Sequence, residues 1–332
     1  MNIQTLTAAF LLVFTLFWTA CQGDKNGAWI TVNPKGEMTA FGQPVSTFEQ
    51  LKSVLVDSLA NMSAIPEKID IRFEGEVGMG ARQEVETIAA EAIAAAKLLK
   101  NAPKIEILSY RKEQGTDCDK PDSLRTFCAT IDVQYPSVVG GEKALQDSVG
   151  KWTDHYLFSM LEGSWEEPIK AQTLDEAAAA FFTNHQASKG SAAGAGFVAM
   201  SGSEVVYNDG KYLTLAINGY TFQGGAHGLP TEALNTFDAQ TGKIYRWDEL
   251  VTDKTALLAL AEKKVRETRA DVFAEGFNFD ETFVFVLPAN YGLTQEGLFL
   301  YYVPYEIMPY AMGETEVLLT FEELGDLSKI RL

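Results

Sequence analysis

Apolar positions alternate in some stretches and recur every three to four residues in others, and the switches between the two periods mark out the elements. Residues 28–32 and 37–41 flank the turn Asn33-Pro34-Lys35-Gly36 and read as two strands. Phe48, Leu51, Leu55 and Leu59 share one helical face, and Ser46 and Glu49 have capping-box spacing just before it. Behind Pro66, residues 69–73 alternate as a strand, and Val85, Ile88, Ala89, Ala92, Ala96 and Leu99 form the stripe of a helix over 82–99. The order ββαβα makes residues 28–102 a small α+β domain, with Asn101-Ala102-Pro103 stopping the helix.

The β pattern then returns. Residues 104–112 and 127–135 read as paired strands around a polar loop, the second closed by Tyr135-Pro136. Amphipathic helices are predicted over 142–161, with Leu145, Val149, Trp152 and Tyr156, and from Thr173, which has Glu176 in capping-box position. The Gly-, Ala- and Ser-rich loop 190–196 lacks the GK[ST] of a phosphate loop and reads as a connector. Strands over 203–207 and 211–222 flank the hairpin signal Asn208-Asp209-Gly210, and another follows over 231–237. A helix over 255–272 and strands over 281–287, 298–303 and 316–321 complete the pattern. The second domain, 103–332, has two subregions, about 103–200 and 201–332, and is expected to hold an antiparallel sheet packed by helices, so that the whole chain is α+β.

Charge narrows the partners. The 332 residues carry 27 Lys+Arg against 45 Asp+Glu, a formal net charge of -18. Nucleic acid is excluded as a partner and anionic lipid surfaces are disfavoured, whereas basic proteins or cationic ligands are steered in; solubility alone is the plainer use of such charge. The first twenty residues carry no charged side chain, and their apolar run from Leu6 to Ala20 has the length of a secretory h-region rather than of a membrane span. Its ending Trp18-Thr19-Ala20-Cys21 resembles a bacterial lipobox, which implies a signal peptide over 1–20, lipid attachment at Cys21 and a tether over 21–27. A plain cleaved signal or a buried helix are the other readings. In an oxidising compartment, Cys118 and Cys128 would close the polar loop between them as a disulfide, the alternative being two unpaired thiols; no Cys or His lies near enough in sequence to complete a zinc site.

The sharpest chemical signal is Tyr220-Thr221-Phe222-Gln223-Gly224-Gly225-Ala226-His227-Gly228, a strand running into a glycine-rich bend with one of three histidines. His227 is a candidate ligand, base or sensor, or a ring that pins the bend by bonding a backbone carbonyl. Neither His155 nor His185 stands at ligand spacing from it, and HExxH and GxSxG are absent, so no metal, cofactor or catalytic residue is assigned. Pro304, Tyr305, Pro309 and Tyr310 could stack on sugar rings, clasp a partner or simply pack a corner. Glu166-Glu167 and Asp248-Glu249 read as solvated faces.

Three ordered motifs, 220–228, Phe237-Asp238-x-x-Thr241-Gly242-Lys243, and Gly297-Leu298 with Pro304-Tyr305-Glu306-Ile307-x-Pro309-Tyr310-Ala311-x-Gly313, resemble an uncharacterised extracytoplasmic family. Ile131-x-Val133-x-Tyr135-Pro136 matches it as well. The family includes the sensor domain of lysozyme-responsive anti-sigma factors and domains beside peptidoglycan deacetylases, and the resemblance implies an α+β fold with a helix-packed antiparallel sheet and an envelope role; it does not imply catalysis. Residues 28–102 resemble the periplasmic domain of the ExbD/TolR family through Ile30-Thr31-Val32 with Gly36, the helix around Leu51, the entry from Pro66 to Ile71 and the alanines from Ala89 to Ala96. Members of that family use an intramembrane carboxylate, which the apolar run here lacks. The expectation is an exported, lipid-anchored envelope protein on the periplasmic or cell-surface face, binding peptidoglycan or a lysozyme-like basic protein. Its candidate binding residues are Tyr220, Gly224, Gly225, His227, Tyr305 and Tyr310. An envelope hydrolase working through His227 and a structural lipoprotein are the competing classes.

Overall fold

A computed structural model describes residues 29–121, 127–165, 168–189 and 196–330. The expected signal peptide, Cys21 and its tether, Glu166-Glu167 and most of the 190–196 loop lie outside the described residues. Contacts divide the chain after Asn101 into two compact units.

In the first unit, β1 (Ile30–Val32), β2 (Met38–Ala40), β3 (Gln43–Val45) and β4 (Ile71–Phe73) form a sheet in the order β3-β2-β1-β4, with β4 parallel to β1. Strand β3 was not expected. Phe41 and Gly42 take φ of 50° and 78°, the left-handed pair that a two-residue hairpin turn requires, and Pro44 sits on the edge strand this creates. Ile30, Val32 and Ala40 pack with Leu51, Leu55 and Leu59 of α1 (Phe48–Ala60) and with Val85, Ala89, Ala92 and Ala96 of α2 (Met79–Lys100). The cap of α1 is Thr47 rather than Ser46: its Oγ1 accepts from Gln50 N at 3.0 Å, while Gln50 Oε1 accepts from Ser46 N at 2.7 Å.

The second unit is built of four layers. β5 (Lys104–Gly115), β6 (Cys128–Val139), β7 (Val198–Asn208), β8 (Tyr212–Phe222) and β9 (Leu229–Asp238) follow one another in a five-stranded sheet. All its pairs are antiparallel except β6 with β7, which are joined through α3 (Lys143–Glu162) and α4 (Leu174–Ala187). One sheet face, including Ile131, Val133, Ala199 and Ile217, is buried under Tyr156, Leu157 and Phe181 of those helices. Across β8 and β9 on the other face lies an antiparallel sheet of β10 (Asn290–Leu293), β11 (Gly297–Tyr302) and β12 (Thr315–Thr320). Its far side, with Leu298, Leu300, Val317 and Leu319, is covered by Leu257, Ala261 and Val265 of α6 (Lys254–Thr268), which follows the short α5 (Trp247–Leu250). The helix-packed antiparallel architecture of an α+β chain is therefore present.

Three departures have local causes. Residues 281–287 form no strand: Phe285 is buried and Val284 and Val286 are exposed, so the alternation is real, but no described strand pairs with it. Strand β6 continues through Pro136 to Val139; beyond the Val133–Ser201 pair it has only β5 beside it, where a residue without an N–H is tolerated. The expected helix over 255–272 breaks at Arg269, and α7 (Ala270–Ala274) follows. The Arg269 guanidinium donates to Met312 O, Glu314 O and Thr315 Oγ1 at 2.7, 3.1 and 2.6 Å. As expected, Cys118 and Cys128 are joined in a disulfide, beside the buried Asp117 carboxylate, which accepts from Phe127 N at 3.0 Å. Among the described residues no helix is long and apolar enough to cross a membrane.

Candidate functional site

Two loops from different sheets meet at one end of the second unit. The loop 223–228 leaves β8, and Gln223 ties its start to α3 by donating from Nε2 to Met160 O at 2.9 Å. Gly224 and Gly225 then take φ of 91° and 102°, which side chains other than hydrogen rarely adopt. Gly228 is buried, and a Cβ there would stand 2.1 Å from the Tyr220 ring, so the absence of a side chain is what lets that ring lie across the bend. His227 Nδ1 is 2.9 Å from Gly228 O; because a carbonyl only accepts, this nitrogen carries the hydrogen.

The partner loop, 303–314, joins β11 to β12. Its base is held by Glu306, whose carboxylate accepts from Ala289 N at 2.8 Å and Val303 N at 3.1 Å, and whose burial pushes its pKa up. Tyr310 opens a 3-10 turn, donates its hydroxyl to Gly228 O at 2.9 Å, and stacks on His227 with ring centroids 3.9 Å apart and planes 23° apart. Tyr305 stands 5.7 Å from Tyr310, is 54% exposed, and holds φ of 75°, a strained value for an aromatic residue.

The structure thus brings together all six residues singled out in the sequence: Gly224 and Gly225 shape the bend, and Tyr220, His227, Tyr305 and Tyr310 form its rings. Such a face matches a flat apolar surface edged with hydroxyls, as a sugar presents, or a partner's side chains. Among the described residues no carboxylate, hydroxyl or thiol hydrogen-bonds to the His227 ring, whose Nδ1 is oriented by Gly228 O. No group of three or more His, Cys, Asp or Glu among the described residues is placed to hold a metal ion. His185 lies elsewhere, buried against Phe127 and Phe197.

A second feature was missed. Between the two sheets of this unit is a cleft of about 320 Å³ lined by Glu204, Asn218, Glu232, Phe299, Tyr301 and Glu316. Burial, then the charges of Glu204 and Glu316, pushes Glu232 up to about 8. Burial, then Glu314 and Glu204, raises Glu316, and burial raises the Tyr301 phenol. The available signal was Glu232 in phase with the buried Leu234, a carboxylate on the inward rhythm of a strand.

Residues 248–322 match the family described as a protein of unknown function, DUF3298, and residues 124–230 match the family described as deacetylase PdaC. Tyr220 and His227 fall in the second matched segment, Tyr305 and Tyr310 in the first, so the ring face is assembled from both. The chain is similar in fold to the crystal structure of a DUF3298 family member from Bacteroides fragilis, at 20% identity and a TM-score of 0.52 over 69% of this chain and 94% of that one. It is also similar to a DUF3298 family protein from Pseudomonas aeruginosa, at 17% identity and a TM-score of 0.50 over 68% and 95%. No curated protein matches the chain. The resemblance to an uncharacterised domain carried by the 220–228 and 304–313 motifs is met by these matches.

Proposed function

We propose that this chain is a non-catalytic binding or sensing module of the bacterial cell envelope, and that its second unit takes its ligand on the face of Tyr220, His227, Tyr305 and Tyr310. The observation that carries this reading is the His227–Tyr310 stack: one ring face is covered by tyrosine and Nδ1 is committed to Gly228 O, so the imidazole is fixed as part of a surface. The DUF3298 and PdaC likenesses support an envelope setting, as do the paired cysteines and the lipobox-like residues before Cys21. The candidate ligands are peptidoglycan, through its sugar rings, and a lysozyme-like basic protein, for which the net charge of -18 is suited. Lipid attachment at Cys21 would hold the module at the membrane, with no other membrane contact. The ExbD/TolR-like reading of the first unit rests on Ile30-Thr31-Val32 with Gly36, the helix around Leu51, the entry from Pro66 to Ile71 and the alanines from Ala89 to Ala96.

The test is retention of the protein from Lys25 onward on purified peptidoglycan and, separately, on lysozyme at low and moderate salt, alongside Tyr305→Asn. Asn accepts a left-handed backbone, so this change removes the ring without adding strain. Saturable retention that survives moderate salt and falls about tenfold or more in the variant is the expected outcome. Retention of lysozyme only at low salt reduces to opposite charge, and no retention of either ligand removes the proposal.

A further inference from the structure

The two halves of the ring face are carried by the same strands that line the carboxylate cleft. Strand β9 begins one residue after Gly228 and places Glu232 inward; β12 begins after the loop bearing Tyr305 and Tyr310 and places Glu316 opposite Tyr301. On the five-stranded sheet, Glu232 pairs with Asn218 and Glu204 with Ala216, so Glu204, Asn218 and Glu232 point to one face. Glu316 looks back at them from the three-stranded sheet; Glu204, Asn218 and Glu316 are exposed at the mouth of the cleft, with Glu232 half-buried between them.

We propose that this cleft is a proton-operated clasp: while Glu232 is protonated the two sheets close and Tyr310 rests on His227, and when the proton leaves, three facing carboxylates drive the sheets apart and dismantle the ring face. The groups that meet Glu232 are Glu204 from β7, Asn218 from β8, Tyr301 from β11 and Glu316 from β12, with Glu314 adding to the charge at Glu316. From α3, Tyr156 also feels the charge of Glu232, and its hydroxyl is 2.7 Å from Thr231 Oγ1. Among the described residues no Lys or Arg lines the cleft, so none of them there neutralises a third negative charge.

The sign follows from linkage. Glu232 in the closed cleft holds its proton up to about pH 8, whereas a solvated glutamate releases it near about 4.3. The closed form therefore binds more protons, its advantage is complete below the lower value, and it is lost as pH rises to the upper one.

The experiment is hydrogen exchange on the full chain between pH 5 and 9, corrected for intrinsic rates and read in peptides spanning β9 and spanning β11 to β12. Protection in wild type is expected to fall by up to about tenfold per pH unit and to level off above about pH 8. In Glu232→Gln most of this fall is lost, the remainder coming from Glu316, and in Glu316→Gln the plateau comes at lower pH because one repelling charge is gone. Thermal unfolding midpoints of the three proteins, which track the same linkage, should converge at pH 5 and diverge at pH 9. A flat wild-type profile overturns the clasp, as does an unchanged fall in Glu232→Gln. Should Glu232→Gln not fold, an unmoved plateau in both Glu316→Gln and Glu204→Gln overturns it equally.

Discussion

At Gly228 the constraint is steric and easily broken. A methyl group there meets the Tyr220 ring at 2.1 Å, so Gly228→Ala must displace either the ring or the bend. The expected cost is about 1–3 kcal/mol in urea unfolding, the range of overpacking changes, and Gly228→Ala combined with Tyr220→Ala should recover part of it because the obstructing ring is removed. Residue choice shows where sequence reading ends. Gly224 and Gly225 advertise positive φ as an adjacent pair, and both adopt it. Gly228, one position beyond His227, carries the tighter demand, and only the fold says which ring lies over it. The same limit holds for Glu306 and Arg269: nothing in the sequence says what either charge holds, yet one ties the base of the 303–314 loop and the other braces its far end.

Among elements, the short β10 joins the two sheets of the second unit by side-chain hydrogen bonds. Thr236 Oγ1 accepts from Leu293 N at 2.9 Å and pairs with Thr214 Oγ1 at 2.8 Å, while Asn290 Oδ1 accepts from Leu234 N at 3.3 Å. Thr236→Val leaves the Leu293 amide buried without its partner and should cost about 1–3 kcal/mol, with earlier proteolysis near β10 as the local readout. Strand β8, buried on both faces from Tyr212 to Ile217, was legible because the hairpin signal Asn208-Asp209-Gly210 precedes it, and the helices because Leu51, Leu55 and Leu59, or Leu257, Ala261 and Val265, fall on one stripe. Asn290-Tyr291-Gly292-Leu293 has no such rhythm: its glycine is selected by closeness to Thr214, where a Cβ would come within 2.6 Å of the threonine methyl. Residues 281–287 have the rhythm without a partner, and a period reports which side faces inward, not whether a neighbouring strand exists.

For the whole molecule, the buried clusters fall cleanly on either side of Asn101, one in the first unit and three in the second. A fragment of residues 102–332 should therefore fold alone and unfold in a cooperative transition followed by circular dichroism, whereas non-cooperative melting would show that it depends on the first unit. Its ring face has one further property. Tyr310 reaches Gly228 across 82 positions of sequence, and the reach requires β11 to have come back over the five-stranded sheet. A chain growing from its N-terminus can finish that sheet while the ring face is still half made. The surface is thus complete only once the chain has been made through Tyr310 and β11 has docked, so possession of it reports a long-range contact rather than a local one.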